Sequence, residues 1–289
     1  MKIGFLQFGA MADAAYAIPI LKHVRKIYPE AHITWCIRDK FAELIETLPY
    51  LDDVKRYKLP EGYSSRQEAE HIMWQQMKDE ANISFDKVIK PQQWPDHNFW
   101  RSGLDLLSLM AENAGFSPSE ITDRSIEVFY TSQDIKQHEI FINKNNLNGK
   151  KYITCNHISY AAQPMWSLEK YQQLVDNLLE HDIYSVFTGA HNEVIPNRAI
   201  DARGMPFRQW GICIKNSHLY LGLDSGAKTL AASTKVPMII LHALDFPLSK
   251  TSCRSMGIRT TNIWELCPAP NVETIYNVIM ENMKCFFNL

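Results

Sequence analysis

Short apolar runs alternate with longer stretches of helical periodicity along the whole chain. The run from Lys2 to Phe8 reads as a short buried strand. The small-residue loop Gly9-Ala10-Met11-Ala12 leads to Asp13 and a helical stretch that continues to about Tyr28. Pro19 falls inside that stretch, where proline fits only in the first turns or at a kink, so the helix start stays open. His32 to Ile37 is the next strand, and a helix follows from Asp39 to Thr47. Val54 to Leu59 and Asp86 to Lys90 are further strands, with a polar helix from Arg66 to Glu80 between them. Leu104 to Ala114 reads as a helix ending at Gly115, Ser125 to Tyr130 as a strand, and Gln133 to Asn145 as a polar helix.

The pattern then pauses at the polar cluster Asn145 to Lys151 and starts again. Strands are expected at Tyr152 to His157, Ile183 to Thr188, Leu219 to Leu223 and Met238 to Leu241. Helices are expected at Leu168 to Glu180, Phe207 to Lys215 and Ala227 to Thr234. A last amphipathic helix runs from Val272 to Phe286, with Ile275, Val278, Ile279, Met283 and Phe286 at helical spacing. Strand–helix alternation of this kind predicts an α/β protein with mostly parallel sheets. The expected divisions are residues 1–148, residues 149–270 and a C-terminal helix at 271–289.

Length and composition agree with this picture. The 289 residues suit two domains, and 46% apolar with 21% charged residues is the balance of a globular chain. Thirty basic and 32 acidic side chains leave a net charge of −2, so the totals show no large basic surface for nucleic acid or anionic lipid. No stretch reaches the about 18 uninterrupted apolar residues of a membrane span. The apolar start is interrupted by Gln7 and Asp13 and lacks a clear cleavage site, which argues against a signal peptide. The six cysteines, Cys36, Cys155, Cys213, Cys253, Cys267 and Cys285, form no CxxC pair and fit buried thiols in a reducing compartment. The ten histidines show no metal-binding spacing, so no metal is expected.

Candidate chemistry concentrates at strand–loop–helix turns. After the first strand, Gly9, Ala10 and Met11 let a ligand approach the backbone, and the helix N-terminus that follows favours anions. Asp13 has two readings, a helix cap or a general base facing a cleft. The loop is not a GxGxxG, so a dinucleotide fingerprint is not supported. The second turn is Gly222-Leu223-Asp224-Ser225-Gly226-Ala227-Lys228-Thr229. Its Ser225 hydroxyl and backbone N–H groups could hold a phosphate, with Lys228 adding a cation; the other reading is a capped helix with a solvated lysine. The spacing is not that of a P-loop. Glu193 follows a strand and a glycine, where it could accept from ribose hydroxyls or be plain surface charge. His157, His191 and His242 lie at strand ends and read first as hydrogen-bonded structural residues. Trp94, Trp100 and Trp166 read as packing residues.

These blocks together resemble glycosyltransferase family 9, the heptosyltransferases that build the lipopolysaccharide inner core. The stretch Ile3 to Asp13, with Pro19-Ile20-Leu21 and Tyr28-Pro29-Glu30-Ala31, is similar to the family's strand, small-residue loop, Asp, then "P-L-L" and "YP-A-I". His157 to Tyr171 is similar to its "K-x-W-P-x-E-x-W/F" segment, and Ser185 to Glu193 to its strand, glycine and Glu. The most specific block lies within Pro206 to Leu241, where NSHLYLGLDSGAKTLAASTKVPMIIL is similar to "A-D-L-x-V-G-x-D-S-G-x-x-H-L-A-A-A-x-G-x-P".

The resemblance covers nearly the whole chain. It implies the GT-B fold, two Rossmann-like domains facing a cleft, with the C-terminal helix crossing back to the first. It implies an inverting glycosyltransferase without a metal or other cofactor, using a nucleotide-diphosphate sugar and a saccharide acceptor such as lipopolysaccharide core. Asp13 would be the base. Asp224, Ser225 and Gly226 would hold the diphosphate, Ser159 would lie near it, and Glu193 would bind ribose. A cytoplasmic protein, peripheral at the inner membrane where such an acceptor lies, would follow. Two positions depart from the pattern. Pro164 stands where the family has a phosphate-binding Lys, and Thr229 where it has His. Lys228 is the cation that could compensate.

Other readings keep the architecture. Phage-type transferases sugar-modify DNA bases, and for such an acceptor Lys22 to Lys26 and Lys55 to Lys58 are the candidate basic patch. A non-catalytic nucleotide-sugar-binding protein and a nucleotide-sugar epimerase are the remaining alternatives.

Overall fold

The computed structural model describes residues 1–91, 103–159, 166–242, 248–258 and 262–285. The chain divides into two compact units, residues 1–129 with 255–258, and residues 130–254 with 259–289.

The first unit holds strands β1 (Lys2–Leu6), β2 (His32–Arg38), β3 (Asp53–Tyr57) and β4 (Lys87–Ile89). Its helices are α1 (Met11–Ile27), α2 (Asp39–Ile45), α3 (Arg66–Ser84) and α4 (Leu106–Asn113). All pairings are parallel, in the order β3-β2-β1-β4. Leu6, Phe8, Cys36 and Tyr57 pack under Met73, Trp74, Met77 and Ala81 of α3. Ser65 caps α3, its side chain accepting from the Glu68 N–H at 3.2 Å. α1 begins at Met11, before Asp13, and continues past the buried Pro19 to Ile27.

The second unit begins with α5 (Ser132–Lys144) and continues with β5 (Lys151–Asn156), α6 (Leu168–Leu179), β6 (Ile183–Phe187) and β7 (Ile200–Asp201). Then follow α7 (Phe207–Lys215), β8 (Leu219–Leu223), α8 (Gly226–Ala232), β9 (Met238–Leu241), α9 (Leu248–Thr251), β10 (Ile263–Leu266) and α10 (Val272–Cys285). The sheet is parallel throughout, in the order β10-β9-β8-β5-β6-β7. Counted from its own first strand this is 6-5-4-1-2-3, the doubly wound order of a dinucleotide-binding sheet. Alternate residues of β5 serve opposite faces, as strand geometry requires. Ile153 and Cys155 join α6 and α10 through Leu174, Leu178, Ile275 and Ile279, whereas Tyr152 joins Phe141 of α5 and Cys213 of α7.

Three expectations change. The division falls between Phe129 and Tyr130, not near Gly149. The reason is α5, whose Phe141 is buried with Tyr152, Val186 and Cys213, and whose Asp134 pairs with Arg208 of α7 at 2.8 Å. α10 belongs to the second unit, and Ser255–Ile258 is the stretch that groups with the first. Residues 125–130 join no sheet. That segment is extended but fixed by side chains. Lys22 Nζ donates to Asp123 at 2.6 Å, the Tyr50 hydroxyl pairs with Glu127, and Thr47 Oγ1 donates to the Phe129 carbonyl at 2.9 Å.

Candidate functional site

In doubly wound sheets, ligands bind outside the carboxyl ends of the strands, where the strand order reverses. In the second unit that point lies between β5 and β8, which are neighbours in space but separated by β6 and β7 in the chain. The residues after these two strands are tied together there. Ser159 Oγ donates to the Asp224 carbonyl at 3.0 Å, and Ser225 Oγ donates to Asn156 Oδ1 at 2.9 Å. Ser225 occupies the N-cap position of α8, and Ser225 and Gly226 are half-buried at the crevice. Gly222 lacks the β-carbon that would collide with the Tyr220 hydroxyl beneath the turn.

Lys228 does not face this crevice. Its side chain is 0% exposed, and its ammonium donates to Asp224 Oδ1 and to the Thr251 carbonyl, both at 2.5 Å. Neither expectation for Lys228 holds, since it is neither a diphosphate cation nor a solvated lysine. The i, i+4 spacing from Asp224 explains the turn inward, because a carboxylate buried at the helix start draws the cation one turn on. Thr229 is likewise buried, its hydroxyl donating to the Gly226 carbonyl at 2.6 Å. Burial disfavours the Asp224 charge, but Lys228, His242 and Thr251 more than offset it, holding its carboxyl below the ordinary range.

Glu193 follows the carboxyl end of β6 and is 7% exposed. Its Oε2 has no hydrogen-bond partner among the described residues, and Gly189 leaves the space that this carboxylate fills. Burial pushes the carboxyl up, with the nearby Arg203 cation pulling the other way. Arg203 donates to the Glu193 carbonyl and pairs with Asp201 at 2.7 Å. A buried acceptor lacking a donor at this strand end is chemically suited to a ligand hydroxyl. His157 is a structural residue, with Nε2 2.7 Å from the Val194 carbonyl and its ring against Tyr171 and Phe187. Trp166 is buried and donates to the Pro270 carbonyl at 2.8 Å, as a packing residue should. Pro164, Trp94 and Trp100 lie outside the described residues.

In the first unit the strand order reverses between β1 and β4. The loop Gly9-Ala10 after β1 carries Asp13 at the third helical position. Asp13 Oδ2 accepts from the Ala10 N–H at 2.8 Å, so the carboxylate closes the helix start from inside the first turn, not from the N-cap. Gly9 is required here, since a β-carbon on it would lie 2.9 Å from that of Asp13. Asp13 is half-buried, Ala10 exposed and Met11 buried.

Four of the basic side chains in the two candidate segments are held in ion pairs, while Lys26 and Lys58 are exposed. Lys22 pairs with Asp123 at 2.6 Å, Arg25 with Asp52 at 2.5 Å, Lys55 with Glu80 at 2.6 Å, and Arg56 with Glu46 and Asp39. Among the described residues no group of three or more His, Cys, Asp or Glu is arranged to hold a metal, and no helix is long and apolar enough to cross a membrane. The thiols of Cys36, Cys213 and Cys253 are buried, and burial pushes them up to about 11, 12 and 12.

Asn156, Thr251, His242 and Glu265 were not assigned to the site from sequence, although all four bear on the turn after β8. Only His242, at a strand end, carried a signal. The others depend on contacts between residues 12 to 69 positions apart.

Two consecutive parallel-sheet units, the second in full Rossmann order, are the elements of a GT-B fold. Solved structures with the same fold extend over nearly the whole chain. A family 9 glycosyl transferase from Veillonella parvula matches with TM-score 0.71 and 17% identity, over 97% of this chain and 90% of that one. The ADP-heptose lps heptosyltransferase II of E. coli matches with TM-score 0.65 and 12% identity, over 98% and 100%. E. coli heptosyltransferase WaaC with ADP matches with TM-score 0.63 and 13% identity, over 98% and 100%. At such identities the likeness is one of fold. No protein-family model matches the chain, and no curated protein matches its sequence.

Proposed function

We propose that this protein is an inverting, metal-independent glycosyltransferase that moves a sugar from a nucleotide-diphosphate sugar to a saccharide acceptor, in the manner of the heptosyltransferases. The observation that carries this reading is the β5–β8 switch point, where Ser159 and Ser225 brace the Asp224-Ser225-Gly226 turn at the carboxyl ends of a Rossmann-order sheet. Backbone N–H groups of that turn suit a diphosphate, with the Ser225 hydroxyl held by Asn156 as its brace, and the Glu193 carboxylate suits ribose hydroxyls. Asp13 takes the proton of the acceptor hydroxyl. The acceptor oxygen then bonds to the anomeric carbon from the face opposite the diphosphate, and the C–O bond pair leaves with the nucleotide. Preorganised dipoles at the turn stabilise the charge that grows on the leaving group. A cytoplasmic protein working at the membrane surface on such an acceptor fits the same reading.

The burial of Lys228 supports a second reading, a nucleotide-sugar-binding protein without transfer activity, because no cation from α8 reaches the diphosphate. The paired state of Lys22, Arg25, Lys55 and Arg56 weighs against a DNA acceptor.

A thermal-shift screen with ADP-, UDP-, GDP- and CMP-linked sugars tests the donor. One of them should stabilise the protein by about 2.7 kcal/mol at a hundred times its dissociation constant. Silence across the panel would end the nucleotide-sugar reading, and binding without transfer across an acceptor panel would favour the non-catalytic one. Gly9→Ala should push the Asp13 carboxylate out of place and reduce kcat by about 10²-fold with donor affinity unchanged, as measured by steady-state kinetics and calorimetry.

A further inference from the structure

His242 follows β9 and is completely buried. Its Nδ1 lies 3.5 Å from Asp224 Oδ2, and its Nε2 lies 3.5 Å from Glu265 Oε1. These are ion-pair distances, and neither nitrogen has a hydrogen-bond partner among the described residues. A neutral imidazole has one N–H and one lone pair, so between two carboxylates it must turn a lone pair towards one of them. Only the protonated ring offers an N–H to both. The surrounding charges favour that form. Asp224 and Glu265 supply two negative charges and Lys228 of α8 one positive charge, so the imidazolium brings the buried group to neutrality. Cys253, pushed up to about 12 by burial, stays a neutral thiol.

The same groups connect separate segments. Asp224 accepts from the Thr251 hydroxyl, Lys228 donates to the Thr251 carbonyl, and Glu265 accepts from the N–H groups of Cys253 at 2.8 Å and Arg254 at 3.4 Å. The ring lies between Asp224, at the turn after β8, and Glu265, which holds the turn at Cys253 and Arg254 after α9.

We infer that protonated His242 is a positioning residue for the Asp224-Ser225-Gly226 turn, bridging Asp224 to Glu265 so that the turn keeps its donor-binding shape, and that loss of the ring proton weakens donor binding. This rests on the reading that the turn holds a nucleotide diphosphate. Burial works against the charge on His242, but the two carboxylates outweigh it and raise the ring above its ordinary value. A group raised in the folded state contributes below its unfolded value, about 6.5, and the contribution is lost as pH rises through the folded one. Donor affinity therefore falls on the alkaline side. His157 and His218 are held below the ordinary value by burial and do not share this limb.

Two measurements test the inference. In the free protein, ring 15N resonances followed from pH 5.5 to 8.5, and assigned with His242→Gln, should show His242 doubly protonated above pH 6.5. A ring already neutral there overturns the proposal whatever the ligand does. Calorimetry with ADP-glucose and UDP-glucose over the same range should show affinity falling by about tenfold per unit on the alkaline limb. Glu265→Gln keeps an oxygen for the Cys253 N–H but removes a charge, and it should move the limb to lower pH. Binding with a flat or unshifted profile sinks the role of His242 alone. Absence of binding at every pH sinks the donor reading, and this role with it.

Discussion

Lys228→Met is expected to lower the free energy of unfolding by about 3–5 kcal/mol, the usual cost of removing one partner of a buried ion pair. The loss arises from what remains. The Asp224 carboxylate stays buried with the Thr251 hydroxyl and His242 beside it but no ammonium, and the Thr251 carbonyl loses its donor. Adding Asp224→Asn should restore part of the loss, because the uncompensated charge is gone, and the double-mutant cycle should give a coupling of about 0.5–3 kcal/mol. Acid should reduce the difference between wild type and Lys228→Met. The Asp224 carboxyl is depressed in the folded state, so its contribution is present above its unfolded value and is lost as pH falls through the folded one. Urea denaturation of the three variants at neutral and low pH measures all of this. A lysine facing a bound phosphate would give a different pattern, with stability within about 0.5 kcal/mol of wild type. That result would return Lys228 to the crevice and remove the buried network.

Lys228 also marks the point where the sequence alone stops deciding the site. The turn itself was legible, because a glycine, an aspartate, a serine and a glycine after an apolar run announce a strand, a loop and a helix start. The direction of a lysine side chain four residues after an aspartate was not. It is decided by Thr251, 23 residues away, and by a helix buried on all sides. The parallel sheets were legible for the same reason as the turn, since β1, β2, β5, β6, β8 and β9 are nearly continuous apolar runs of the kind strands covered on both faces require. β7 and β10 were not: β7 is two residues long, and β10 is a half-buried edge strand whose run is broken by Glu265, so neither shows a continuous apolar stretch. Residues 125–130 have strand-like composition, yet their partners are Lys22, Thr47 and Tyr50 side chains and not a neighbouring strand. The unit boundary moved because a polar-looking helix, α5, hides Asp134, His138 and Phe141 against α7. Glu193 was found from its place after a strand and a glycine, but its burial depends on the absence of a β-carbon at Gly189.

Asp13→Asn should reduce kcat by about 10²–10⁴-fold, the range expected when a positioned general base is lost, and leave the nucleotide-sugar dissociation constant within about twofold of wild type. The structure makes this a clean substitution. Asn keeps an oxygen able to accept from the Ala10 N–H, so the start of α1 should remain closed and stability should change by less than about 1 kcal/mol. The capping contact sharpens the expectation, because it sets two roles for Asp13 against each other. If Asp13 only closes the helix, Asp13→Asn is silent in turnover, while Asp13→Ala loses stability by about 0.5–2 kcal/mol with kcat intact. If Asp13 is the base, both variants lose turnover alike and differ only in stability. Steady-state kinetics beside thermal unfolding of the two variants therefore separates the roles. A base must also be ionised to act, so kcat/KM of the wild type should fall on the acid side in step with one carboxyl, and Asp13→Asn should lose that limb along with the rate.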